Sequence, residues 1–137
     1  MFATADDMRA RFGEAELIQL TDQAEWSAQV IAAVNVAIAT ATSIVEGYVA
    51  KYHGAAPGRA VPPLLVELTC DLAYVRLHRA MTDDLKDRRD QAMRQLRDIS
   101  NGLLKIDQGQ QDIPARGGAV IVPDRPRTFS RDTMEGF

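Results

Sequence analysis

Residues 27–52, SAQVIAAVNVAIATATSIVEGYVAKY, constrain the fold more than any other stretch. Apolar side chains recur at Val30, Val34, Ile38, Ala41, Val45, Tyr48 and Tyr52, with Ala37, Ile44 and Val49 beside them. Steps of three and four place them on one stripe of a helix. The remaining positions are mostly Ala, Thr and Ser, and Ala is both the best helix former and small enough for close packing. No Pro interrupts the run, and its one glycine, Gly47, costs ~1 kcal/mol relative to Ala. A helix over this stretch is roughly 39 Å long at ~1.5 Å per residue, about the width of a small domain. The expectation is a central helix, beginning at Gln23 or Ser27 and stopping near His53 and Gly54, on which shorter helices pack.

The preceding residues read as two short helices. Thr4 is a suitable N-cap, with Asp6 and Asp7 in the first turn where the helix dipole favours acids. Residues 5–12 form the first helix, Gly13 is its natural C′ residue, and residues 14–19 form a further turn or two. Asp22 with Glu25 three residues on has the spacing of a capping box, which predicts a start for the long helix there.

After it, residues 54–61 (GAAPGRAV) read as a loop. Pro62 and Pro63 open a helix, where a missing N–H costs nothing. That helix, expected over 63–81, carries two apolar stripes: Leu65, Leu68, Leu72 and Val75, then Val66, Cys70, Ala73 and Leu77. Two stripes imply burial on two faces. Thr82 caps the next helix, with Asp83 and Asp84 in its first turn. It runs to about Asn101, with Gly102 at C′. Leu85, Ala92, Met93, Leu96 and Ile99 make a narrow apolar stripe; the rest is charged, with Asp84–Arg88 and Asp90–Arg94 at supportive i,i+4 spacing. The fold class predicted is all-α: a small helical bundle, residues 1–104, around one long central helix.

Residues 105–137 have no helical period and contain seven of the chain's Gly and Pro residues. Ala119 to Val122 (AVIV) can pair as a short strand. The ending, RPRTFSRDTMEGF, mixes arginine with apolar side chains. A free tail of this composition is normally disordered. About 30 extended residues reach up to roughly 100 Å, so the expectation is an extended arm that lies on neighbouring subunits and becomes ordered on docking. Arg125, Arg127 and Arg131 are its candidate polar anchors and Phe129, Met134 and Phe137 its apolar ones, since Arg, Met and aromatics are enriched in protein interfaces.

Composition narrows the function. With 16 basic against 19 acidic residues, there is no general case for binding nucleic acid or an anionic membrane. One cysteine, Cys70, excludes an internal disulfide and a cysteine-rich zinc site within one chain. No signal core or run of 18 apolar residues stands out, so no membrane span is expected and the protein is expected to be soluble and cytoplasmic when made. Glu67, Asp71, Tyr74 and His78 fall on one line of the fourth helix and have metal-ligating types, but such a line is far more often the polar edge of a buried helix. His53, at a helix end, suits a C-terminal cap. Cys70 lies eight residues from His78, on another face, and reads as a buried inert thiol. No nucleophile elbow, phosphate loop or HExxH occurs, and the short GRAV at Gly58 is too isolated to cradle phosphate. No catalytic residue, cofactor site or metal site is expected. Arg88, Arg89, Arg94 and Arg97 could meet phosphates, but the interleaved Asp84, Asp87, Asp90 and Asp98 fit a solvated, ion-paired face better. A small oligomeric regulatory or nucleic-acid-binding module is the alternative, and it lacks a recognisable base-reading helix.

The chain resembles the Mu-like prophage protein family, similar to head–tail connector (adaptor) proteins of tailed phages. The residues that carry this are the opening ATADDMRARFGEAELIQLTD, then AIATATSIVEGYVAKYH with its Tyr-x-x-x-Tyr, then VPPLLVELTCDLAYVRLH, then RRDQAMRQLRDISNGLLKI. The ending RTFSRDTMEGF also looks like the family's tail. The resemblance implies a non-enzymatic structural protein of the virion, assembled in the host cytoplasm and placed at the head–tail junction. It implies a ring homo-oligomer, typically of twelve copies, beneath the portal protein. Such a ring extends the DNA channel without sequence-specific contact and docks the next connector, stopper or tail-terminator protein.

Overall fold

A computed structural model describes residues 1–52 and 60–106. Five helices follow in order among the described residues: α1 (Ala5–Phe12), α2 (Glu14–Leu20), α3 (Ala28–Val49), α4 (Pro63–Leu77) and α5 (Asp83–Ser100). The protein is all-α. His53, the loop glycines, residues 119–122 and the arm residues Arg125, Arg127, Phe129, Arg131, Met134 and Phe137 lie outside the described residues.

The bundle is built on α3. Val30, Val34, Ala37, Ile38, Ala41, Val45 and Val49 are buried along one face, the stripe the sequence spacing predicts. Burying a Val or Ile side chain contributes about 1.5–3 kcal/mol, so this stripe outweighs any local preference of the chain. α3, α4 and α5 each pack on the other two. α4 is buried on two faces through Leu65, Leu68, Cys70, Leu72, Ala73 and Val75, and α5 offers Leu85, Ala92, Leu96 and Ile99. α1 and α2 close the bundle, with Met8 and Leu17 fully buried. Ile106, beyond the last helix, is also buried in the core.

By length and composition α3 is apolar enough to cross a membrane, which counting uninterrupted apolar residues misses. Its apolar stripe is the bundle's own core, and its exposed positions include Gln29, Asn35, Ser43 and Glu46.

Several helix ends depart from expectation. α3 starts at Ala28 with Ser27 at its N-cap, the second of the two expected starts and not Gln23. Asp22 adopts the left-handed conformation (φ 55°), pairs with Arg79 and ends α2 instead of capping α3. α3 stops at Val49, about four residues early. Tyr52 turns out of the helix with its N–H on the Val49 carbonyl (2.9 Å), and its hydroxyl lies 3.5 Å from the Ser100 carbonyl. The tyrosine thus docks on the end of α5. α4 stops at Leu77 instead of Met81, and His78 is extended. The other ends follow the sequence. Thr4 and Asp7 form a capping box, the Thr82 hydroxyl accepts from the Leu85 N–H, and Gly102 takes φ 79° after α5, where a side chain would be strained.

Candidate interaction surface

A charged seam joins α1, α4 and α5. Arg11, in the last turn of α1, donates from Nη2 to Glu67 Oε1 and to Asp71 Oδ1, both at 3.1 Å. Arg88 of α5 donates from Nη1 to the same Asp71 oxygen at 3.0 Å. Asp71 therefore bridges two guanidiniums. Burial opposes the charge on Arg11, but the hydrogen bond to Glu67 and the charges of Asp71 and Glu67 outweigh it and raise its pKa above the ordinary arginine value.

Beside the seam, Phe12 and Tyr74 stack with ring centroids 4.1 Å apart and planes at 15°. The Arg88 guanidinium carbon lies 5.1 Å from the Tyr74 ring centroid and 5.6 Å from that of Phe12, within cation–π range. The Tyr74 hydroxyl bonds to Glu16. Burial first, then that bond, push the tyrosine pKa up to about 12. A cleft of about 370 Å³ opens over the seam, lined by Arg11, Glu67, Asp71 and Arg88 with Asp84, Asp87, Gln91 and Gln95 on the α5 side. Four carboxylates face two guanidiniums, so the cleft is net acidic.

The Glu67, Asp71, Tyr74, His78 line divides into two pairs, and Tyr74 meets His78 edge-on with ring centroids 4.6 Å apart. Glu67 and Asp71 hold Arg11. His78 lies past the helix end, where its Nδ1–H donates to the Tyr74 carbonyl at 2.9 Å. That makes His78 a C-terminal cap of α4. Among the described residues no three His, Cys, Asp or Glu side chains are grouped to hold a metal. Cys70 is buried, and burial, followed by the charge of Asp7, pushes its thiol up to about 11. It is therefore a protonated, weakly nucleophilic thiol at neutral pH.

Of the arginines on α5, Arg88 turns into the seam. Among the described residues no ion pair joins Asp84 to Arg88; the partner is Asp71, one helix away. Local spacing favoured the i,i+4 pair, but Asp71 is the better-buried carboxylate, its side chain 16% exposed, where screening is weaker. Arg89 pairs with Asp90 on the outer face, and Arg94 and Arg97 are exposed. Sequence reasoning missed Arg11 and the Asp71 bridge. Glu67 and Asp71 at i,i+4 were the available signal, since two carboxylates on one helical line call for a cation.

The profile of the family described as Bacteriophage Mu, Gp36 matches residues 2–122, most of the 137-residue chain. The chain belongs to the bacteriophage Mu Gp36 family. The matched span takes in all five helices and stops short of the closing segment 127–137. A comparison with curated proteins finds no match. The Gp36-family chain is thus a phage-type protein whose helical bundle carries a paired, charged surface on α4 and α5.

Proposed function

We propose that this member of the Mu Gp36 family is a structural head–tail connector, working without catalysis or a cofactor. The observation that carries the reading is the family match over the whole helical bundle. The resemblance of the same segments to phage adaptors gives the finer role. The physical features are compatible with it: a rigid core centred on α3, and an exposed α5 rich in both charges for contact with partners. In this reading copies of the chain form a ring below the portal and extend the DNA channel. The arm, with Arg125, Arg127, Phe129, Arg131, Met134 and Phe137, grips the portal or a neighbouring copy, and the far side of the ring docks the next connector or tail protein.

Negative-stain microscopy of particles made with and without the gene tests this. The expected result is tailless heads that leak DNA, beside free tails, with the protein present by mass analysis in complete wild-type virions. Complete virions formed in its absence would overturn the connector assignment.

A further inference from the structure

A second concavity, of about 310 Å³, lies between α3, α4 and α5, away from the charged seam. Its wall is apolar: Ile44, Val75 and Met93, with Met81 at the mouth. Met81 is 53% exposed, which leaves apolar surface in water at the edge of the groove. Methionine is also the side chain best able to reshape around an inserted group. The rim is cationic. Arg76 and Arg89 both line it. Arg76 has no ion-pair partner among the described residues, and Arg89 meets only the exposed Asp90, at 3.4 Å.

An occupant that suits this groove brings large apolar groups flanked by carboxylates. Residues 132–137 of this chain, DTMEGF, have that composition: Met134 and Phe137 alternate with Asp132 and Glu135, with no basic residue among them. The 25 residues between Ile106 and Asp132 span up to about 80 Å when extended, enough to reach this face on a neighbouring copy of the bundle. We infer that the groove between α3, α4 and α5 is the docking site for segment 132–137. Phe137 and Met134 insert between Met81 and Met93, and Asp132 and Glu135 pair with Arg76 and Arg89. Main-chain and apolar contact supply the affinity, and the charges set the direction in which the segment lies. The inference rests on reading the C-terminal segment as an arm and adds the surface that receives it.

Photo-crosslinking of the full-length purified protein tests the assignment. A photoreactive phenylalanine analogue replaces the exposed Met81, and trypsin, cutting after Arg131, releases 132–137 as one peptide. The expected product joins the Met81 position to that peptide. Arg76→Glu combined with Arg89→Glu should lower its yield about fivefold or more, as should Asp132→Asn combined with Glu135→Gln, with far-UV circular dichroism unchanged in each. Crosslinks confined to other peptides, or a yield indifferent to both charge variants, would overturn the inference. The readout needs no virion, so a failure of the connector reading in microscopy leaves this result standing on its own.

Discussion

Asp71 does more than any other single side chain to join the helices at their surface. It sits on α4, takes Arg11 from α1 and Arg88 from α5, and is only 16% exposed. Glu67, one turn before it, shares Arg11 but is 53% exposed. The two acids differ in screening, so their contributions should differ too. Hydrogen bonds to charged groups contribute about 1.5–3 kcal/mol when shielded, whereas exposed pairs contribute about 0–1 kcal/mol. Asp71→Asn should therefore destabilise the fold by about 1–3 kcal/mol and Glu67→Gln by under about 1 kcal/mol. Urea unfolding of both variants at neutral pH and low salt measures this. Equal shifts in midpoint would show that Asp71 is no more than a surface partner.

At the scale of elements, the identity and order of the helices were legible in the sequence and several of their ends were not. The buried stripe of α3 could be read because the same residues satisfy local periodicity and tertiary packing. Thr4, Thr82 and Gly102 could be read because caps act on their own helix. The early ends of α3 and α4 could not, because Tyr52 leaves its helix for Ser100, forty-eight residues on, and the extended His78 turns its ring back on the carbonyl of Tyr74. The seam was hidden for the same reason: Arg11 and Asp71 are sixty positions apart. Gly47 is the one local misfit left within α3. A Cβ built there meets nothing within 4 Å, and its backbone lies in the helix, where Gly is disfavoured against Ala by about 0.5–1 kcal/mol. Gly47→Ala should raise the thermal midpoint of the isolated protein by a few degrees. A lowered midpoint would mean that another chain or segment already packs against that position in the purified protein.

For the whole molecule, the decisive division is between a bundle that makes its own core and a C-terminal segment of opposite character. Every fully buried large side chain among the described residues belongs to residues 8–99, with Ile106 closing the core behind them. Stability and assembly should therefore separate along the chain. Removing residues 116–137 takes away Arg125, Arg127, Phe129, Arg131, Met134 and Phe137 and leaves every core residue named above in place. The shortened protein should keep its helical circular dichroism and unfold cooperatively within a few degrees of the full chain, yet fail to complement a strain lacking the gene. Loss of helical signal would show that the segment contributes to the fold itself. Normal particle assembly by the shortened chain would remove the arm from the connector's contacts and leave the charged face of α5 as the surface to test next.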